Sequence, residues 1–402
     1  MGQKSNRNIQ KNSFAWLSSG PLALAALMFS TYAGPGYASG TQTVAFFLTK
    51  GWIGVFWGPI VLGIATFIWC AVTFEFNRVY RPRDYREQSD MIYPNPIARR
   101  LFGIYTDFYA LFQIVVVVAA MISGAAVLLQ NMFGLPMMTG TVIFSVTCLA
   151  LTMRGSKLVL SSATVLTLLI LLVTLYIATV GLGPTWPLSM QFIAERHQPQ
   201  EFNYSLTEAW WLILIFVANF TAGRNAAVPA CLDSIKTRRD SYLAASFTAV
   251  FCAISTIIYT IIFSAGMPQI AKEPIPTLYV LDTMLKVSHN TRWIYMTIAL
   301  AAMVSTGVAL LYGGSVRFQK PLSKIWKNAA PNQMQVVLSL VILVGCTLLS
   351  KVGLIAIITK GYAYGGVICA PVLVYLYYIT VPLRMCKDRA NKVGPYAETK
   401  AR

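Results

Sequence analysis

Charge is scarce in this 402-residue chain. Asp, Glu, Lys and Arg make up 11% of it, against about a quarter of a soluble domain. Histidine occurs twice, at His197 and His289, each isolated between apolar runs. With so few ionisable side chains, no Ser/His/Asp or Cys/His set can be assembled along the sequence, so no catalytic residue and no enzyme cofactor is expected. The seven cysteines (Cys70, Cys148, Cys231, Cys252, Cys346, Cys369 and Cys386) form no CxxC and no paired spacing. That excludes a recognisable disulfide framework or thiolate metal site.

What is abundant is apolar surface: 56% hydrophobic residues and a mean hydropathy of +0.60. This is the composition of an integral membrane protein whose main partner is the lipid bilayer. The net charge of +18 would suit nucleic acid, but the basic residues sit in short segments between long apolar runs, so no nucleic-acid partner is expected. A spanning helix needs about 20 mostly apolar residues. Ten such stretches are predicted, at 14–49, 52–76, 103–130, 138–153, 157–182, 207–231, 241–266, 292–313, 333–350 and 353–382. With the N-terminus inside, 24 of the 32 lysines and arginines fall in cytoplasmic segments, which predicts cytoplasmic termini in a bacterial inner membrane. A cleaved signal peptide is the alternative reading of the basic, then apolar, N-terminus, and it would leave nine spans.

Two of the ten stretches are interrupted. The first carries Gly34-Pro35-Gly36-Tyr37-Ala38-Ser39-Gly40, and the sixth carries Asn219-Phe220-Thr221-Ala222-Gly223-Arg224-Asn225. Backbone cannot be left unpaired in lipid, so such a break must be buried in protein or line a wet cavity. The interruptions lie five spans apart. An odd repeat inserts its second copy inverted, and matching interruptions in two halves point to a transporter binding site. The predicted organisation is a cytoplasmic tail (1–13), a first five-helix repeat (14–182), an inverted second repeat (207–382) and a cytoplasmic tail (383–402). Close packing is the competing reading, since Gly36-x-x-x-Gly40 and Gly361-x-x-x-Gly365 both fit that pattern.

The direction of each break sets its chemistry. The outer half of span one begins near Ser39, Gly40 and Thr41, so its free N–H groups favour an anion. The outer half of span six ends near Ala218 and Asn219, leaving carbonyls that favour a cation. A small zwitterion fits between them. The expected substrate-binding residues are Gly34, Gly36, Tyr37, Ser39, Gly40, Thr41, Asn219, Phe220, Thr221 and Gly223.

The segments "GPGYASGTQTVAFF", "LAAMVSTGVALLYGG" and "GLIAIITKGYAYGG" resemble the bacterial YkvI-like membrane proteins. These look like members of the amino acid–polyamine–organocation superfamily, with its LeuT-type five-plus-five inverted-repeat fold. The family has a Gly-Ala-Gly-Phe-Ala-Ser-Gly-like break followed by Gln-Glu; this chain departs from it with Pro35 and with Thr43 in place of the acid. The resemblance implies an all-helical transporter with helices one and six discontinuous. It also implies a sodium site built from a Ser/Thr pair on span eight, here Ser305 and Thr306, and carbonyls of the first break, here Ala33 and Gly36. Some relatives couple to protons through a lysine in span five, but Leu158–Leu182 contains no charged residue.

Two ions fall within spans, Asp107 and Arg224. In-membrane charges are functional candidates, and both lie toward the cytoplasmic side, so they are expected to pair as an inner gate. Lys360 is placed in the outer part of span ten, lining a vestibule or snorkelling. Tyr32, Tyr37, Phe220, Tyr362 and Tyr364 surround the breaks without a carboxylate. That suits a neutral amino acid, and equally a quaternary ammonium such as a betaine. The sequence reading is therefore a secondary transporter, Na⁺-coupled, for a small zwitterion. The alternatives are a proton-coupled amine or betaine transporter and a ligand sensor on the same scaffold.

Overall fold

The computed structural model describes residues 20–82, 85–93, 95–153, 156–202, 204–223, 235–326, 330–369, 376–393 and 395–396. Among them there are helices and no strands. The first span opens at Pro21, a proline at the position where its missing N–H costs nothing. Helix α1 (Pro21–Tyr32) ends where Ala33 turns to ψ 34°. One turn, α2 (Pro35–Ala38), follows, and then α3 (Thr41–Phe46). Pro35 can neither donate a helical bond nor let Gly34 stay comfortably helical. Gly40 takes φ 83°, left-handed backbone natural to glycine alone. The chain thus breaks twice within eight residues.

The remaining spans are α4 (Trp57–Tyr80), α6 (Pro96–Phe133), α7 (Met137–Thr152), α8 (Ser156–Ala194), α9 (Leu206–Gly223), α10 (Arg238–Ser264), α12 (His289–Ile325), α13 (Pro331–Ser350) and a tenth span. Short helices α5 (Tyr85–Ile92) and α11 (Pro276–Tyr279) lie in connections. The tenth span is assembled from α14 (Leu354–Ala356), a π-helical turn (Ile357–Gly361) and α15 (Tyr362–Cys369). A further π turn (Leu376–Thr380) and α16 (Val381–Ala390) follow. Among the described residues, six helices are long and apolar enough to cross a membrane, and three more are apolar but shorter. Ile64, Val146, Leu172 and Val341 are exposed on their outward faces, as a lipid-facing belt requires.

Packing divides the spans into two groups. Helix α10 packs against both α1 and α4, while α6, α7, α12 and α13 pack as a second set. Helix α8 touches both sets, and α15 packs on α9. The break in span one lies where these groups meet, with Tyr37, Phe47 and Phe216 fully buried around it. At 38 residues, α6 is about 57 Å long at 1.5 Å per residue, well beyond a bilayer core of about 30 Å.

Two expectations change. Helix α9 runs without interruption through Asn219–Gly223, so its outer half does not end at Ala218 or Asn219. The Thr221 hydroxyl donates back to the Val217 carbonyl at 3.0 Å, the usual behaviour of threonine in an intact helix. Arg224, Asn225 and the rest of that expected break lie outside the described residues. Helix α12 also continues past its apolar stretch to Ile325, which carries Arg317 on the helix rather than in the following loop.

Candidate functional site

The ends of the bundle are named here by charge, the inner end being the one rich in arginine and lysine. Between α1 and α3 the backbone makes few helical bonds and finds others. The Ala38 N–H donates to Gly34 (2.9 Å) and the Gly40 N–H to Tyr37 (2.9 Å). The Ala38 carbonyl accepts from the Tyr295 hydroxyl on α12 (2.8 Å), and the Ser39 carbonyl from the Thr277 N–H on α11 (3.0 Å). The Ser39 hydroxyl donates to the Gly36 carbonyl and accepts from the Thr41 N–H, both at 3.3 Å. The Thr41 hydroxyl donates to the Pro274 carbonyl at 2.9 Å.

These bonds revise the expected anion subsite. The amide of Thr41 is already capped, and Gly40 faces protein: a Cβ there would stand 2.6 Å from the Phe263 ring and 2.8 Å from the Thr277 hydroxyl. Besides the Tyr37 hydroxyl within the break, the groups that remain unsatisfied begin one residue further on. Nε2 of Gln42 and the hydroxyl of Thr43 are buried and have no hydrogen-bond partner among the described residues. The Gln42 side chain folds back over Gly36, where a Cβ would meet its Oε1 at 2.9 Å.

Aromatic rings enclose the inner side of the break. Tyr32 packs edge-on to Phe220 (centroids 4.4 Å) and against Tyr37 (5.1 Å), which meets Tyr259 (4.8 Å). On the outer side Phe46 stacks on Phe216 (4.5 Å), with Tyr362 stacked on Phe46 beyond (6.3 Å). Phe220 was expected over the substrate; it lies against Tyr32 and stacks on Phe216.

Asn219, expected to offer carbonyls to a cation, is part of a polar knot. The Tyr109 hydroxyl donates toward its backbone carbonyl (3.1 Å) and its Oδ1 (3.0 Å), and Gln113 donates to the same Oδ1 and to Tyr109. Gly365 admits this knot: a Cβ there would collide with Asn219 Oδ1 and Gln113 Nε2. One turn earlier, Gly361 presses on Val116. The Gly361-x-x-x-Gly365 pattern is therefore a packing face of span ten.

Arg224, the expected gate partner of Asp107, lies outside the described residues. Asp107 pairs with Arg317, joining the inner ends of α6 and α12, with the side chains 30% and 21% exposed. Ser305 and Thr306 lie on α12, and the Thr306 hydroxyl donates to the Ala302 carbonyl at 3.0 Å. Lys360 and Tyr364 border an outer cavity, together with Thr41 and Phe46. Sequence reasoning missed Gln42, Thr43, Tyr109, Gln113 and Arg317. Gln42 and Thr43 could have been found from the polar residues that open α3; the others have no local signal.

Known structures share this architecture. The chain aligns with a Na⁺-coupled sialic acid symporter, in a substrate-bound outward-open state, at a TM-score of 0.59. The match covers 90% of each chain at 13% identity. The fold is that of the LeuT-type transporters. MhsT in complex with L-phenylalanine gives a TM-score of 0.56 over 90% of this chain and 95% of that one, at 14% identity. Among curated proteins, the uncharacterized membrane protein YkvI of Bacillus subtilis (strain 168) is 22% identical over 299 residues, 72% of this chain and 78% of its own length. No family model matches. Identities this low speak for the LeuT-type fold alone.

Proposed function

We propose that the protein is a secondary active transporter of a small zwitterionic substrate, a neutral amino acid or a derivative of one, working by alternating access with sodium as the coupling ion. The bacterial cytoplasmic membrane, with both termini on the cytoplasmic side, is its proposed location. The observation that carries this reading is the pair of orphaned buried groups at the break, Gln42 Nε2 and the Thr43 hydroxyl. An unpaired buried polar group costs about 1–3 kcal/mol, and a ligand with polar ends recovers that cost. The aromatic rings on either side supply the apolar walls of such a site.

Sodium has suitable oxygens to hand. Ala33 and Gly36 offer carbonyls where α1 unwinds, and Ser305 and Thr306 offer hydroxyls. The Thr306 hydroxyl donates its hydrogen to Ala302, which leaves its lone pairs directed away from that bond. Hard cations take such oxygen donors. An ion held between α12 and the break would favour one conformation of span one and so shift the equilibrium between states.

The rings of Phe220 and Tyr37, 4.4 and 5.1 Å from that of Tyr32, also favour a second reading, a betaine held by cation–π contacts and driven by protons. Uptake by proteoliposomes separates the possibilities. Under an inward sodium gradient, accumulation of a neutral amino acid is expected, with Gln42→Ala abolishing it. Accumulation driven only by a pH gradient would replace sodium by protons. Binding without accumulation would make the protein a sensor and overturn the transporter reading.

A further inference from the structure

A cavity of about 390 Å³ opens outside the Phe46–Phe216 stack, within the size range of small-molecule sites. Its floor is the outer half of span one, with Thr41, Val44 and Phe46. Its walls carry three charges: Lys50, Glu273 and Lys360. Lys50 is only 4% exposed, although it lies in a connection between spans. The segment Leu48–Gly54 turns it inward: Gly51 adopts φ 76°, and the Trp52 N–H donates to the His197 carbonyl at 3.1 Å. The Lys50 ammonium sits 3.9 Å from the centre of the Tyr204 ring. Among the described residues, neither Lys50 nor Glu273 enters an ion pair. The neighbouring Lys272 is taken by Glu201 at 2.7 Å. A buried ammonium without a counter-ion is costly, and here it borders a cavity large enough to admit one.

We propose that this vestibule is a second binding site, at which the carboxylate of a small zwitterion pairs with Lys50 and its ammonium with Glu273 before the Phe46–Phe216 stack parts. The inference rests on the transporter reading above for its ligand class. Lys360 adds a second positive charge at the rim, so the site attracts the carboxylate end first. A ligand held there lies against the outer half of span one, within one ring of the break.

The test reads Lys50 itself. The purified full-length protein is treated with pyridoxal 5′-phosphate and then borohydride, and modification of each lysine is quantified by peptide mass spectrometry. An equimolar mixture of apolar L-amino acids should slow modification of Lys50 about tenfold, the effect of one charge-assisted contact. Because added amino acids and amines also consume the aldehyde, modification of Lys50 is expressed relative to that of the exposed Lys272; by that ratio the corresponding decarboxylated amines should not protect. Glu273→Gln should weaken protection by the amino acids while leaving protection by the matching carboxylic acids unchanged. Gln42→Ala, which alters only the central site, should leave Lys50 protected. Equal modification in every mixture, protection by the amines, or loss of protection in Gln42→Ala would overturn the proposal. Uptake is measured separately. Uptake without protection sinks the vestibule site alone, and protection without uptake sinks the transporter reading alone.

Discussion

Phe46 of α3 and Phe216 of α9 lie ring on ring, 4.5 Å apart and 18° from parallel. Phe46 lines the outer cavity and Phe216 backs it, while Gln42 and Thr43 are buried and do not line that cavity. The stack is the expected shield of those two groups. Phe46→Ala should thin it. A cysteine placed at the fully buried Thr43 should then react with a small water-soluble thiosulfonate about tenfold faster than in the Phe46 background, the equivalent of about 1.4 kcal/mol. Unchanged labelling, read by mass spectrometry at that position, would mean that another layer closes the site.

Asp107 and Arg317 join α6 to α12 at the inner end across 210 positions of sequence. Removing either charge breaks this pair and leaves the other's share of it uncompensated, whereas removing both does not. Asp107→Asn and Arg317→Gln should each lower the melting temperature and each change transport. The double variant should cost less than their sum, with a coupling of about 0.5–3 kcal/mol. Additive effects would show that the pair does not act together.

Gly40 combines a left-handed backbone with contact to Phe263 and Thr277. Gly40→Ala should destabilise the protein by about 1–3 kcal/mol through backbone strain, and further through the close approach of its Cβ to Phe263 and Thr277. Gly40→Val should cost more, through overpacking. Phe263→Ala in the valine variant should restore the overpacking part and leave the strain. If Phe263→Ala restores nothing, the crowding at Gly40 comes from elsewhere. Denaturant or thermal melts in detergent provide the measurement.

Burial pushes the Lys50 ammonium down from 10.5 to about 8. Between those values the unfolded chain holds a proton that the folded protein has released. Stability therefore rises with pH across that window. Below about pH 8 both states carry the charge, and the full cost of burying it is felt. Lys50→Met should raise the melting temperature at pH 7 and remove the gain between pH 8 and 10.5. Ligand protection of the vestibule runs the other way, since the carboxylate loses its partner as pH climbs through about 8. Glu273, Lys360, Tyr204 and Tyr364 are the other ionisable groups lining the cavity, so the same profile measured in Glu273→Gln and Lys360→Gln assigns the midpoint. A midpoint that moves with those variants and persists in Lys50→Met would place the titration on another group.

The apolar stretches by themselves placed the spans, because the cost of exposing backbone and charge to lipid is paid residue by residue and is written in local composition. The break at Gly34-Pro35-Gly36 was equally local: a proline without an N–H and flanking glycines cannot continue a helix in any surroundings. Asn219–Gly223 looks the same on paper, small and polar in an apolar run, yet it stays helical. Tyr109 and Gln113, brought from span three, bond the Asn219 side chain and carbonyl, so that polar residue is satisfied without unwinding. Asp107 could be recognised as an ion needing a counter-charge, but its partner could not. Arg317 follows the apolar part of span eight, and only packing against α6 carries the helix, and the guanidinium, to it. Lys50 is the strongest case. A lysine in a short connection is expected in water, and it is buried because His197, some 147 positions away, holds its loop inward. Helix, span and break depend on interactions between near neighbours, which a sequence displays. The satisfaction of a polar side chain deep in the protein depends on whichever distant segment the fold brings beside it, and that was decided only in three dimensions.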